Sequence, residues 1–560
     1  MTAVRQIIRG VGVSPGVVVG PVRRMPDPVP EPDAGARVAE PDRASEAGRI
    51  TEAAAAVRAD LAARASAVTG DARDVLEATA LMADDPTLTD AAAALVTAEG
   101  LTAQRGVWQA GSEVAATMAA LGGYLGERAR DVTDVRDRIV ARLTGRAAPG
   151  IPVADEPFVL VAADLAPADT ATLDPTQVLA LVTESGGPTS HTAILARALG
   201  LPAIVAASGV LALPDGAPVL VDGGAGTVVP DPSPRDQERA AALRSAASLA
   251  FSGHGVTGSG TPIALLANVG DAAGALVAAS TGAQGVGLFR TEFCFLDRRE
   301  PPTVAEQVEA YTAVLDAFTG RRVVVRTLDA GADKPLPFVT DAAEANPALG
   351  VRGLRTAARA PRLLDDQLTA IAEAARGRDD VWVMAPMVAT AAEAHDFVTR
   401  CATRGLRTAG VMVEVPAAAL CADAVLEHAA FASIGTNDLA QYCMAADRQL
   451  GELAALNDPW QPAVLRLVEL TCRAGRRRSR PVGVCGEAAA DPALACVLAG
   501  LGVSSLSMSP RALGPVAAAL AGAADDACAA AAEAALAAPS AADARAGARA
   551  LLPHLADVGL

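Results

Sequence analysis

The sequence predicts a multidomain α/β protein: a compact β/α domain interrupted by an inserted helical bundle, followed by a (β/α)8 barrel of the TIM type. Three observations carry this expectation. At 560 residues the chain exceeds what one hydrophobic core accommodates, so several domains are required. A single strand-like run near the start is separated by a long helical stretch from the runs that would complete its sheet. From residue 252 onward, short apolar runs alternate with helical patterns at a steady rhythm.

The opening run VGVSPGVVVGPV, residues 11–22, alternates valine and glycine as a strand does, and a proline-rich stretch to Pro32 ends it. Between 25 and 146, Ala, Leu, Glu and Arg replace β-branched runs, and apolar residues recur at helical spacing, which predicts a bundle of amphipathic helices. Strand runs return between 147 and 229 (FVLVAADL, VLALVTES, PAIVAAS, APVLVDGG, GTVVP). Residues 1–24 and 147–229 are therefore expected to form one domain, with 25–146 inserted into it. Residues 230–251 begin Pro-Asp-Pro-Ser-Pro and continue as a charged helical stretch, the expected linker. In 252–560 strand candidates fall at 263–268, 285–289, 323–328, 349–353, 381–386, 411–414, 432–435, 482–485 and 505–508. A barrel of this class has eight strands, so one candidate is surplus.

A formal charge of −17 argues against nucleic acid or an anionic membrane surface as the main partner and favours a basic protein. The longest alanine-rich stretch is cut by Asp525 and Asp526 before it could span a bilayer. The first residues carry Pro15 and glycines within their apolar run, unlike a secretion signal. All eight cysteines lie between Cys294 and Cys528 without a C-x-x-C pair, so free thiols in a reducing cytoplasm are expected. Of the 47 basic residues only Lys334 is lysine, which points to a need for a compact ammonium there.

The strand ending at Thr183 leads through Glu184, Ser185, Gly186, Gly187, Pro188, Thr189 and Ser190 to His191, and a helix with apolar Ile194, Leu195, Ala198 and Leu199 follows. His191 is thus placed at a helix N-terminus, where close backbone, free N–H groups and the helix dipole favour an anion. A neutral imidazole, with an ordinary pKa of about 6.5, is a competent nucleophile toward phosphorus. A lone histidine carries little functional weight; the Gly-Gly-Pro-Thr-Ser-His-Thr context singles this one out.

In the barrel region Arg290 (GVGLFRTEF), Arg326 and Lys334 with Asp329 (RTLDAGADK), and Arg352 (NPALGVRGLR) each follow a strand candidate, on the rim where such barrels carry their chemistry. Singly, each arginine is as readily a surface ion pair; together they suit the phosphate and carboxylate of a small polyanion. Glu414 (VMVEVPAAAL) and Asp438 (SIGTNDLAQY) offer hard oxygen ligands, the donor set of Mg2+ rather than of zinc or iron. Asn437 adjoins Asp438 as a possible donor to substrate, and Arg448 lies one helical stretch further on. Cys485 ends the strand in GVCGEAA; a cysteine in an apolar strand is usually packing, but at the rim a thiol is placed to deliver a proton.

GGPTSHTAILARALGLPAI resembles the phosphohistidine segment shared by Enzyme I, the pyruvate, phosphate dikinases and the phosphoenolpyruvate synthases. GVGLFRTEF, RTLDAGADK, NPALGVRGLR, MVEVPAA, SIGTNDLAQY and GVCGEAA are similar, in order, to the phosphoenolpyruvate-binding barrel of the Enzyme I family of the bacterial sugar phosphotransferase system. The resemblance spans nearly the whole chain. It implies that His191 takes the phosphoryl group from phosphoenolpyruvate and passes it to the phosphocarrier HPr, as the first step of sugar uptake. It further implies that Arg290, Arg326, Lys334, Arg352, Asn437 and Arg448 bind phosphoenolpyruvate, that Glu414 and Asp438 bind Mg2+, and that Cys485 protonates the enolate to pyruvate. A homodimer through the barrel, and a histidine domain that swivels on its linker, are implied as well. ALMADDPTL resembles the HPr-docking part of the family.

Departures are local. Pro188 stands where the family often has a basic or bulky residue, GADK where it commonly has two glycines, and AADRQL where Gly and Asn often follow the arginine. A dikinase or synthase would need an ATP-grasp region, and residues 25–146 contain no glycine-rich phosphate loop. A nitrogen-regulatory paralogue would add an N-terminal sensor domain. A non-catalytic regulator would have lost His191, Cys485 or a metal ligand, and all are present.

Overall fold

The computed structural model describes residues 7–557, except 15, 27–28, 67–78, 122, 147–149, 153, 166–172, 188–191, 194–195, 197–198, 225, 248, 297, 331–335, 342–343, 449, 451–452 and 454. His191 and Lys334 lie outside the described residues. The chain forms two compact units, Met1–Pro234 and Arg235–Leu560.

The first unit is built on an eight-stranded sheet: β1 (Ile8–Arg9), β2 (Val11–Ser14), β3 (Val17–Arg24), β4 (Phe158–Ala162), β5 (Val178–Thr183), β6 (Ala203–Val205), β7 (Pro218–Asp222) and β8 (Thr227–Pro230), in the order β1-β8-β7-β3-β4-β5-β6-β2. All of β4 is buried, and its alternate residues enter opposite cores: Phe158, Leu160 and Ala162 on one face, Val159 and Val161 on the other. That alternation is the period of a strand covered on both sides. β3 and β4 pair in parallel, which a tight turn cannot achieve; the chain must leave the sheet and return. The inserted helices make that excursion.

Those helices include α1 (Arg43–Ser66), α2 (Pro86–Glu99), α3 (Ala103–Leu121) and α4 (Gly123–Thr144), packed around Ile50, Leu61, Val96, Val107 and Ile139. The limits of α2 follow from its sequence. The Asp85 carboxylate accepts from the Thr87 N–H at 2.7 Å, Pro86 opens the first turn, and Gly100 ends the helix in the left-handed region at φ 70°.

The second unit is a closed barrel of eight parallel strands: β9 (Ala264–Val269), β10 (Val286–Arg290), β11 (Val323–Arg326), β12 (Val381–Ala385), β13 (Thr408–Val413), β14 (Ala432–Gly435), β15 (Val482–Cys485) and β16 (Ser505–Met508), with β16 closing on β9. Eight of the nine strand candidates are present, and 349–353 is the surplus one. Pro347–Leu349 and Gly353–Arg355 are 3-10 turns, because Pro347 offers no N–H to a ladder and Gly353 has φ +56°. Arg352, expected at a strand end, therefore lies in the long connection between β11 and β12. Residues 230–251 hold the end of β8 and the helix Pro234–Ala247. All eight cysteines are free thiols, and among the described residues no helix is long and apolar enough to cross a membrane.

Behind the barrel, helices Pro492–Leu501 and Asp525–Ala537 approach so closely that a Cβ on Gly500 would stand 2.1 Å from the Cys528 carbonyl oxygen. Gly500→Ala should overpack this contact and cost about 1–3 kcal/mol, read as a lower melting temperature of the full chain. Gly547→Ala, whose Cβ would meet only Ala534 at 3.8 Å, is the matched control and should melt at or above the parent.

Candidate active site

The C-terminal ends of the barrel strands bring most of the expected barrel residues to one rim. β10 ends in Arg290 and continues directly into a turn carrying Thr291 and Glu292. β11 ends in Arg326, and Asp329 follows three residues later. The Arg326 guanidinium donates through Nη2 to Glu292 Oε1 at 2.7 Å and stands 3.4 Å from Asp329 Oδ2, while the Asp329 N–H donates to the same Glu292 oxygen at 3.0 Å. Glu292 thus fixes both the arginine and the loop behind it. The Nε of Arg326 is buried without a partner among the described residues.

Arg352 reaches the rim from its connection and is 5 % exposed. It donates to both oxygens of Asp329, from Nη2 at 2.8 Å and from Nε at 3.2 Å, and through Nη1 to Asp438 Oδ1 and to the Tyr442 hydroxyl, each at 3.2 Å. The Tyr442 hydroxyl in turn donates to the Ala348 carbonyl, which ties down the turn preceding Arg352. Burial opposes the charge of both arginines, but the surrounding acids outweigh it and hold their pKa values above the ordinary range.

Asp329, Glu414 and Asp438 are all buried, and one carboxylate oxygen from each lies within 4.8 Å of the others. Glu414 follows β13 and accepts from the Met387 N–H at 2.6 Å, its only described hydrogen bond. Burial first, then the charges of Asp329 and Asp438, push its carboxyl up to about 8. Asp329 moves the other way: burial resists its charge, but Arg352 and Arg326 hold it below the usual carboxylate range. Three oxygen donors, one of them retaining a proton for want of a counter-charge, fit a small hard divalent cation such as Mg2+.

Arg290 is exposed on the rim and forms no hydrogen bond or ion pair with a described residue. Protein walls strip part of its hydration, and the neighbouring Arg326 and Arg448 add repulsion, so its pKa is lowered. Asn437 is half-buried, with its Oδ1 accepting from the Glu487 N–H at 3.5 Å. Arg448 is half-buried and anchored through its backbone N–H to Gln441 Oε1 at 3.0 Å. Cys485, 2 % exposed, ends β15 among the side chains that fill the barrel, and burial raises its thiol pKa.

Sequence reasoning assigned no ligand role to Asp329 and no role to Glu292 or Tyr442. The first two had a signal, since each lies two or three residues beyond a predicted rim arginine. In the first unit the loop after β5 is pinned by the Thr183 hydroxyl donating to the Ser185 carbonyl at 2.7 Å and by the Gly209 N–H donating to Glu184 Oε1 at 3.0 Å. Thr192 and Ala193, which follow His191, are helical and buried.

Comparison with known proteins gives three domain matches: residues 9–128 to the N-terminal domain of PEP-utilising enzymes, 154–226 to their mobile domain and 250–524 to their PEP-binding domain. The phosphoenolpyruvate-protein phosphotransferase of Streptomyces coelicolor is 53% identical over 551 residues, 97% of this chain and 99% of that protein. That of Haloferax volcanii is 43% identical over 463 residues, 80% of this chain and 81% of its own. An NMR solution structure of Enzyme I (nEIt) aligns with 42% of this chain and 96% of its own at 31% identity and a TM-score of 0.37.

Removing one of the three buried acids tests the cluster. Glu414→Gln should leave the cation-free protein as stable as the parent or more so, by up to about 2 kcal/mol, because a buried carboxyl short of counter-charge disappears. Mg2+ is expected to raise the melting temperature of the parent and to leave that of Glu414→Gln unchanged.

Proposed function

The chain belongs to the phosphoenolpyruvate-utilising enzyme family and is a phosphotransferase; from that premise we propose that it moves the phosphoryl group of phosphoenolpyruvate onto His191, releases pyruvate, and passes the group to the histidine of HPr at the head of sugar uptake. One observation carries the barrel's part in this reading: three buried carboxylates within 4.8 Å of one another, interleaved with Arg326 and Arg352, on the rim where β10 ends in the unpaired Arg290. Such a place accepts a divalent cation and a small polyanion together.

In the proposed reaction Arg290, Arg326, Arg352, Arg448 and Lys334 receive the phosphate and carboxylate of phosphoenolpyruvate, with Asn437 as a further donor. Forked guanidiniums suit these planar or tetrahedral anions. Positioning and charge stabilisation supply most of the catalysis in phosphoryl transfer, and little covalent chemistry is asked of the barrel. Glu414 and Asp438, joined by Asp329, would hold Mg2+, which when bound supplies neutralisation of phosphoryl and enolate charge. The neutral imidazole of His191 attacks phosphorus, the bond from phosphorus to the enol oxygen breaks, and an enolate remains. Cys485 gives that enolate its proton. A thiol kept protonated by burial is suited to donate rather than to act as a nucleophile.

For this sequence of events the His191 imidazole has to meet the rim and afterwards an acceptor, so the split domain is the moving part and 230–251 its tether. The acidic charge of −17 supports a basic acceptor such as HPr. A cytoplasmic homodimer associated through the barrel completes the proposal.

The test is direct. Incubated with Mg2+ and phosphoenolpyruvate labelled in the phosphoryl group, the parent should acquire acid-labile, base-stable label that chases onto added HPr, and His191→Ala should acquire none. Label retained by His191→Ala would overturn the assignment.

A further inference from the structure

The barrel interior is packed unevenly. Leu288, Val324, Met384, Met412 and Phe431 pack together within the barrel, as bulky side chains do in barrels of this class. Beside Leu266, Val324 and Phe431, several neighbouring positions are small: Gly287, Ser433, Gly483, Ser505 and Ser507. Among these side chains lies a narrow hollow, with space for about one water molecule, at the N-terminal end of the strands, the end away from the rim. Its outer margin is exposed Pro481 with half-buried Arg322, Trp382 and Ser505; its inner wall includes buried Ser433 and Ser507. The Arg322 guanidinium lies 4.6 Å over the Trp382 ring, which leans on Phe431 at 4.8 Å, so the mouth carries a fixed positive charge. Lined by serine hydroxyls as well as apolar side chains, and open at its outer end, the hollow has space for a water and leads inward from the barrel floor.

Its inner end touches the chemistry. β14 and β15 run in register with Ser433 opposite Gly483 and Gly435 opposite Cys485, so Ser433 lies one inward step below Cys485. The Cys485 thiol donates to the Ile434 carbonyl at 3.4 Å, in the strand that carries Ser433. Ser433, which also lines the hollow, therefore stands between the hollow and the thiol.

We propose that Ser433 and the hollow beneath it form a proton channel that recharges Cys485 from the barrel floor, independently of the substrate rim. The proposal rests on Cys485 being the donor to the enolate. When the Cys485 S–H bond breaks and a C–H bond forms on the enolate methylene, a thiolate is left. The thiolate takes the hydroxyl proton of Ser433, whose oxygen takes one from a water in the hollow. The hydroxide produced is stabilised by Arg322 and neutralised by bulk buffer. One solvent proton enters for each pyruvate formed, and the reverse reaction sends one out. A rear entrance has a chemical purpose: the rim must exclude water while a phosphoryl group and an enolate are exposed there, so a proton path through it would compete with hydrolysis.

The experiment compares two exchanges in the same full-length protein. In deuterium oxide with Mg2+, phosphoenolpyruvate and carbon-labelled pyruvate, carbon-label exchange between the two compounds reports the chemical cycle, and methyl deuteration reports how often Cys485 trades its proton with solvent. In the parent the two should run close to one deuteron per cycle. In Ser433→Ala the ratio of deuterium to carbon exchange should fall about tenfold, because the same proton is recycled on the thiol, and Ser433→Thr should restore it. Ser505→Leu, which plugs the mouth while leaving Ser433 in place, should lower the ratio likewise and guards against misfolding of the first variant. A parental ratio in either Ser433→Ala or Ser505→Leu overturns the channel. Loss of carbon exchange in Cys485→Ala upholds the donor reading in either case, whereas parental carbon exchange in that variant removes the donor reading and the channel together.

Discussion

Arg352 grips both oxygens of Asp329 and extends its third nitrogen to Asp438, and the charge order of the rim depends on that fork. Without it, buried acids from different elements would face one another across a few ångströms with nothing between them. With it, charges alternate along Glu292, Arg326, Asp329, Arg352 and Asp438, each held by hydrogen bonds or close ion pairs. Buried alternation of this kind contributes little net stability, since desolvation consumes most of the Coulombic gain; its value is a fixed geometry. Two kinds of group are left over at its margins. Glu414 has no guanidinium of its own and keeps a proton instead, while Arg290 has no acid. A divalent cation would answer the first and a polyanion the second, so the proposed places for the two coincide.

The alternation is held in place by neutral hydrogen bonds behind it. The Gln367 amide, 1 % exposed, accepts from the Leu328 N–H at 2.8 Å and donates to the Thr291 and Tyr311 hydroxyls at 3.0 Å. Thr291 donates to the Arg326 carbonyl at 2.8 Å. One side chain from an outer helix thereby locks the ends of β10 and β11 together, beside the residues that carry Arg290, Glu292, Arg326 and Asp329. Fully satisfied networks in a low-dielectric interior act as rigid spacers, and rigid spacing is what charge stabilisation requires.

Much of this was legible in the sequence because a barrel repeats. Short apolar runs mark strands, and whatever polar residue ends a run arrives at the rim; Arg290, Arg326, Glu414, Asp438 and Cys485 were placed that way. The reading failed where that rule does not apply. Leu349 to Gly353 looks like a run, but Pro347 and the left-handed Gly353 forbid a ladder there, and Arg352 reaches the rim through a loop whose path no periodicity encodes. Asp329 and Glu292 went without these roles because a carboxylate near an arginine in sequence is ordinarily a local ion pair; only the closure of the barrel shows Asp329 meeting Glu414 and Asp438. The uneven lumen was invisible for a similar reason. Single glycines and serines in strands carry no signal until adjacent strands set them in the same layer.

The claim that cation and polyanion share one site is tested most directly by binding without turnover. Calorimetric titration of His191→Ala, as full-length protein, with phosphoenolpyruvate should give saturable binding in Mg2+ and a loss of affinity of roughly tenfold or more when a chelator replaces the metal. Equal affinity in the two conditions would mean that the acids and the arginines serve different purposes, and the account of the rim given above would be wrong.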